Sequence, residues 1–348
     1  YKYTGTLSGT PPVAAASLPY GMSATITNNA GNKSIDLVVT VGNLLTWAVG
    51  DGAWDINTTA NWKNTSAASV IYTNDQPAQF DDSASGTSPI TVTLNTNVLP
   101  IAVVANNPTK DYVVSGTGVI GGSAGLIKQG AGKLTLSTPN TYTGGSTISA
   151  GVVNVQNATG LGAGAVSVAS GAALEVQGGI TLAGAPLTLS GTGTSTAGAL
   201  RNINSSNIYN STITLAANST IGVDANQLTV SGVISGANAL TKAGAGTLAL
   251  SATSTYTGGT VVNNGVLDLT GGGGANGTIR GTVTVNSGKT LRLTGGDALG
   301  FNANGGQVGT VNLVGGTLDS AGGNNQTTTA DFVMTGGTIT GVTNIDLF

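Results

Sequence analysis

Large apolar residues alternate with small or polar ones along most of the chain. The pattern is plain in AVSVASGAALEVQ (165–177), VLDLT (266–270), TVTVNSGKTLRLT (282–294) and TVNLVGGTLDS (310–320). A period of two places every second side chain on one side of an extended backbone, so these segments predict half-buried β-strands. Candidate helical windows lack a sustained i, i+3, i+4 apolar spacing, and glycine recurs often through most of the chain. An all-β chain is predicted.

The strands meet at glycines. The successive segments TISAGVVNV, SVASGAALEV, VVNNGVLDL, TVNSGKTLRL, NLVGGTLDS and VMTGGTIT each read as strand, short glycine corner, strand. Gly151, Gly171, Gly265 and Gly288 are the corner positions where a Cβ is predicted to be opposed by the backbone conformation. Equivalent strand positions recur at roughly 20 to 28 residues, pairing Val153 with Leu174, Leu267 with Leu291, Val283 with Val311 and Val311 with Val333. Recurrence at that interval marks a coiled stack, in which no unit buries its apolar side without its neighbour. The predicted fold is a right-handed parallel β-helix, with roughly 15 coils and about 70 Å of stack if the whole chain takes part. An antiparallel sandwich or barrel shares the alternation but does not repeat its corner chemistry. Residues 113–348 form the predicted β-helix. Residues 1–112 are a more irregular, β-rich, aromatic-containing segment, separate from the solenoid or continuous with it.

Composition narrows the chemistry. Of 348 residues 56 are glycine, 39% are hydrophobic and only 7% are charged, a balance that favours a packed core over disorder. The net charge is -3 and basic residues do not cluster, so nucleic acid is not an expected partner. Cysteine and histidine are both absent, which removes disulfides, thiolate nucleophiles and the commonest general base and metal ligand. No apolar run is long enough to span a bilayer, so membrane insertion of this segment is not expected. No cofactor and no catalytic residue are expected.

A longer repeat stands out. LIKQGAGKLTLSTPNTYTGGSTISAGVVNV (126–155) returns as LTKAGAGTLALSATSTYTGGTVVNNGVLDL (240–269) after 114 residues without a gap, with 15 of 30 positions identical. The motif is carried by thirteen of these, Leu126, Lys128, Gly130, Gly132, Leu134, Leu136, Ser137, Thr141, Tyr142, Thr143, Gly144, Gly145 and Gly151, with counterparts Leu240, Lys242, Gly244, Gly246, Leu248, Leu250, Ser251, Thr255, Tyr256, Thr257, Gly258, Gly259 and Gly265. This pattern resembles the autotransporter-associated β-strand repeat. The resemblance implies the passenger region of a large exported bacterial surface protein, folded as a β-helix and extracellular. Autotransporters end in a membrane β-barrel, and no such barrel or sorting tail is read here, which leaves the export route open.

Several side chains are candidates for a site. Trp47, Trp54 and Trp62 form a sugar-stacking platform if their faces are exposed, or plug a corner if they pack. Asp51, Asp55, Asp75, Asp81 and Asp82 are metal candidates by residue type, but they fall in no recognised calcium spacing and are read as solvated turn residues. Adjacent Asp81 and Asp82 also suit the acid and base of a polysaccharide hydrolase, a reading weakened by the lack of histidine. Lys128 and Lys242 are read as edge charges that discourage sideways strand pairing. Tyr142 and Tyr256, ahead of the double glycines Gly144, Gly145 and Gly258, Gly259, are read as packing over a coil corner.

The expected function is structural: a rigid, non-enzymatic stalk, spacer or fibre subunit of the cell surface. An adhesin for glycans or other cells is the alternative, and a secreted polysaccharide-degrading enzyme the third. Partners are expected to be adjoining repeats, or other copies joined end to end, with surface glycans next. The end-to-end expectation rests on unfinished ends, at YKYTGTLSGT with Pro11 and Pro12, and at the closing Ile345, Leu347 and Phe348.

Overall fold

A computed structural model describes residues 22–29, 32, 34–41, 44–272, 274–301, 305–320, 326–341 and 345–347. Short strands stack in parallel into a β-solenoid of about 12 turns. Among the described residues the one helical element is a single 3-10 turn at Thr194–Thr196. Parallel pairing runs through the whole stack, which rules out the sandwich and the up-and-down barrel. Among the described residues antiparallel strand pairing is confined to residues 22–70, where Met22–Asn29 pairs with Ser34–Val41 in a sheet of its own and a small flap closes the first turn, and one isolated antiparallel bridge joins Asn276 and Gly300. Among the described residues the stack begins at Leu45 and has fewer turns than the roughly 15 expected of the whole chain. At about 4.8 Å per turn it extends roughly 55 Å.

Three columns of strands make the walls. One runs from Leu45 through Ala78, Val103, Leu126, Ser146, Val166, Leu187 and Ile213 to Ile234. The second carries the ladder Leu134, Val153, Leu174, Leu200 and Ile221, continuing through Lys242, Val262, Val285, Leu313 and Met334. A third column begins at Thr181–Ala183 and runs to Thr338–Thr340. The aliphatic side chains from Leu134 to Ile221 are fully buried. Each turn alone leaves its apolar edge bare, so burial comes from the turn above and the turn below.

Turn length varies with what each corner must hold: 19 residues separate Leu134 from its partner Val153, and 28 separate Val285 from Leu313. Three of the four sequence pairings are in register, namely Val153 with Leu174, Leu267 with Leu291 and Val283 with Val311. The fourth is displaced by one. Val311 stacks on Phe332, and Val333 lies beside Asn312 with 48% of its surface exposed. A one-residue slip exchanges inside for outside, and the larger Phe332 takes the inward position.

The aromatic segment belongs to the same stack, since Leu45 pairs with Ala78, Ala78 with Val103 and Val103 with Leu126. On its free side Leu45–Trp47 pairs antiparallel with Trp62–Lys63, which pairs in turn with Ser69–Val70. This flap covers an edge that would otherwise present unpaired backbone groups. Beneath it Trp47, Trp54, Trp62, Tyr72 and Phe80 are buried and meet mostly edge to face, with Trp47 and Trp62 centroids 5.1 Å apart and Trp54 and Tyr72 5.3 Å apart. Tyr1–Thr10, Pro11, Pro12 and Phe348 lie outside the described residues. Ile345 and Leu347 fall in a strand that pairs with Gln326–Thr328.

Candidate functional site

The repeat motif builds one device twice. Leu126 and Lys128 are two residues apart on a strand, so both point inward, and the same holds for Leu240 and Lys242. Both lysines are fully buried. Lys128 stacks between Ala105 and Ile148, and Lys242 between Ile221 and Val262, each occupying a rung of an aliphatic ladder. The edge-charge reading is thereby corrected. Period two already placed these ammonium groups inside, and the turn that follows supplies their partners.

That turn is the G-x-G of the motif. Lys128 Nζ donates to the carbonyls of Gln129 at 2.7 Å and Gly130 at 2.7 Å, and reaches Ala150 on the next turn at 3.4 Å. Lys242 Nζ donates to Ala243 at 2.8 Å, Gly244 at 2.7 Å and Asn264 at 3.0 Å. Each lysine thus ties one corner to the corner stacked on it. Burial lowers both ammonium pKa values to about 8, partly offset by the fields of Asp111 and Asp224.

The remaining motif residues fill the same corner. Gly151 and Gly265 both have φ +65. A Cβ on Gly151 would lie 2.4 Å from the Gly130 carbonyl oxygen and 2.5 Å from that of Gly132, and a Cβ on Gly265 would lie 2.5 Å from the oxygens of Gly244 and Gly246. Gly144 and Gly258 lie against the backbone of Ala124 and Asn238, and Gly145 and Gly259 against that of Ala165 and Thr282. Tyr142 and Tyr256 are interior residues. Their hydroxyls bond Ser146 Oγ at 2.8 Å and Thr260 Oγ1 at 2.6 Å, which accounts for the Ser/Thr position after the double glycine. Burial pushes both phenols well above their usual range.

The two copies do not lie on the same walls. Leu126–Gln129 and Lys133–Leu136 occupy the first and second columns, whereas Leu240–Ala243 and Thr247–Leu250 occupy the second and third. The 114-residue repeat therefore advances five turns and one further face. The corner unit is indifferent to which pair of walls it joins.

The other candidates also act as structure. The tryptophans offer no exposed ring face for a sugar. Trp47 Nε1 donates to Gly50 O at 3.0 Å, and the indole nitrogens of Trp54 and Trp62 are buried without a partner. Tryptophan emission is expected to be blue-shifted and weakly quenched by acrylamide in the folded chain. Strong quenching would place the rings on the surface instead. Asp81 braces Ser83 and Gln79, and Asp82 accepts from the backbone of Thr109 at 3.0 Å and Lys110 at 2.9 Å. Those bonds hold the Asp82 carboxyl below the usual range. Asp51 accepts from Thr91 N at 2.7 Å, and Asp55 from Thr59 N at 2.9 Å. Among the described residues no group of three or more acidic side chains is placed to hold a metal ion.

One feature went unread in the sequence, an ion ladder on the outside of the second column. Glu175, whose side chain is 3% exposed, accepts from Lys133 at 2.8 Å and Arg201 at 3.2 Å, and Arg201 also holds Asp224 at 2.6 Å. Glu175 and Arg201 are register partners 26 residues apart, so their spacing was visible, but pairing them required the turn length.

The family model described as the passenger-associated-transport repeat matches residues 126–155 and 240–269, the two segments that build these corners. Over 229 residues the chain is 32% identical to the adhesin BmaC autotransporter of Brucella suis biovar 1 (strain 1330), a match that takes in 55% of this chain and 6% of that protein. The chain thus spans a small fraction of the length of that relative. No solved structure matches it. Both repeats sit in equivalent corners of a parallel solenoid, so the chain carries two passenger-associated-transport repeats and is similar to an autotransporter adhesin.

Proposed function

We propose that this chain is a non-enzymatic, surface-exposed passenger segment of an adhesin, in which the solenoid displays a lateral face to a partner. The observation that carries this reading is the match to an autotransporter adhesin over 55% of the chain, together with two passenger-type repeats whose buried lysines, tyrosines and glycines hold corners. A pure stalk shares the same rigid stack. The adhesin reading is preferred because the relative is itself an adhesin. The former enzyme candidates, Asp81 and Asp82, are occupied in bracing loops, which supports a non-catalytic role.

The test is display of the 348-residue chain on a non-adherent bacterium through a heterologous translocator barrel, with exposure checked by protease shaving. Adhesion to cultured cells or a coated surface above the barrel-only control is the expected result. A displayed, protease-accessible chain with no gain in adhesion would leave the stalk reading. Electron microscopy of the purified chain then distinguishes a spacer from a subunit that joins end to end.

A further inference from the structure

We propose that the first column of the solenoid is a docking face for a neutral, linear polysaccharide, an inference that rests on the adhesin reading and names its class of partner. Thr147, Ser167, Thr188, Thr214 and Ser235 are register partners on successive turns, one outward hydroxyl per rung. Thr147, Thr188 and Thr214 are exposed, and the two serines half-exposed. Thr214 and Ser235 approach at 3.4 Å, and the hydroxyls of Thr147, Ser167 and Thr188 have no protein partner.

The strands that carry this row hold no charged residue, in contrast to the second column. From Lys133 to Lys242 the sequence holds only three other charged residues, Glu175, Arg201 and Asp224. All three belong, with Lys133, to the ion ladder on the second column. Charge is thus gathered on one wall, and the first wall is left with hydroxyls, methyls and glycines. Such a face has no cation to attract an acidic polymer and no anion to attract a basic one. It also lacks the aromatic and arginine anchors on which specific protein interfaces depend.

A neutral sugar chain fits what is left. Threonine offers a hydroxyl beside a methyl, and a pyranose offers hydroxyl edges beside C–H faces. The rungs repeat at about 4.8 Å, close to the length of one sugar unit in an extended chain, so a polymer lying along the stack axis meets an equivalent hydroxyl at each unit. One hydroxyl-to-hydroxyl bond exchanges with water for little net gain. Five in a row on a rigid support act together, because the wall loses almost no freedom when the chain lands.

The full 348-residue chain is tested by affinity electrophoresis in gels containing soluble β-glucan, mannan or xylan, with hyaluronan and dextran sulfate as acidic comparisons. Retardation by at least one neutral polymer and by neither acidic one is expected. The combined variant Thr147→Val, Thr188→Val, Thr214→Val keeps side-chain shape and strand propensity. It should weaken that retardation roughly 10-fold, as the loss of three modest hydrogen bonds predicts. Thr284→Val, on the second column, should leave it unchanged, and unaltered melting of each variant confirms the fold. The proposal fails if no neutral polymer retards the chain, if the triple variant binds like the parent, if Thr284→Val weakens binding equally, or if acidic polymers are preferred. Self-association in sedimentation that the triple variant abolishes would assign the face to a second copy and overturn it as well. Cell adhesion retained without polysaccharide binding sinks this inference alone, whereas loss of all adhesion by the parent chain sinks the reading beneath it.

Discussion

Gly265→Val is expected to destabilise the chain by about 2–5 kcal/mol, the sum of left-handed backbone strain for a β-branched residue and overpacking against a neighbouring turn. Gly265 has φ +65, and its Cβ position lies 2.5 Å from two carbonyl oxygens of the stacked corner. Those oxygens belong to backbone that Lys242 and the next strand hold in place, so they have little room to move. Gly288 supplies the control. It has a similar φ of +71, but nothing lies within 4 Å of its Cβ position. Gly288→Ala should therefore cost only about 1 kcal/mol, the conformational part alone. Urea melts of the two variants measure the difference. Equal costs would mean that close stacking at the repeat corner contributes nothing. Because each turn is stabilised by its neighbours, Gly265→Val should also speed amide exchange in the adjoining corner at Gly244–Gly246.

Removing either buried ammonium should be nearly as severe. Lys242→Met preserves volume but deprives the carbonyls of Ala243, Gly244 and Asn264 of their shared donor. The loss is expected at about 3 kcal/mol, since buried acceptors left without partners are costly and no other group in the corner can replace the amine. Lys128→Met should behave alike, and arginine should fail to rescue either position because the planar guanidinium is larger than the ammonium it replaces.

The same lysines give stability a pH dependence of unusual sign. In the unfolded chain each amine keeps its proton to about pH 10.5, while in the folded chain the value is about 8. Between these values the unfolded chain binds more protons, so stability rises with pH. The five buried tyrosines Tyr72, Tyr112, Tyr142, Tyr209 and Tyr256 oppose this at higher pH, because burial raises them above their ordinary value of 10.0 and the unfolded chain ionises first. Stability should therefore climb from about pH 8 to about pH 10, by on the order of 2 kcal/mol per lysine, and fall beyond. Thermal melts across that range should lose the climb in the Lys128→Met, Lys242→Met double variant. A parent chain with no rise above pH 8 would show that the buried amines titrate normally.

Much of this architecture was legible from residue order. Alternation specified strands, glycines at Gly151, Gly171, Gly265 and Gly288 marked corners with positive φ, and three pairings fell in register. These features are local or repeat at short intervals, so each is written directly in the chain. Lys128 and Lys242 were misread although the signal was present: each lies two residues after an inward leucine, and the same period that buried the leucine buried the amine. Composition favoured an edge, because a lone lysine is rarely interior. The converging carbonyls that make burial tolerable exist only once the G-x-G turn has closed.

Other features required the third dimension. The tryptophans at 47, 54 and 62 could face a sugar or each other, and the sequence spacing is the same in both cases. The antiparallel flap Trp62–Lys63 with Ser69–Val70 folds them under the first turn and decides for packing. Likewise Glu175 and Arg201 become neighbours only because 26 residues make that particular turn, while other turns take 19 or 28. The residue sequence by itself determined the strands, the corners and the family likeness, because period-two patterning and glycine's tolerance of positive φ act within a few bonds. Turn length, the rotation of the second repeat by one face, and the sorting of charge onto one wall and hydroxyls onto another were decided by the tertiary structure, because each depends on which residues stack across a full coil.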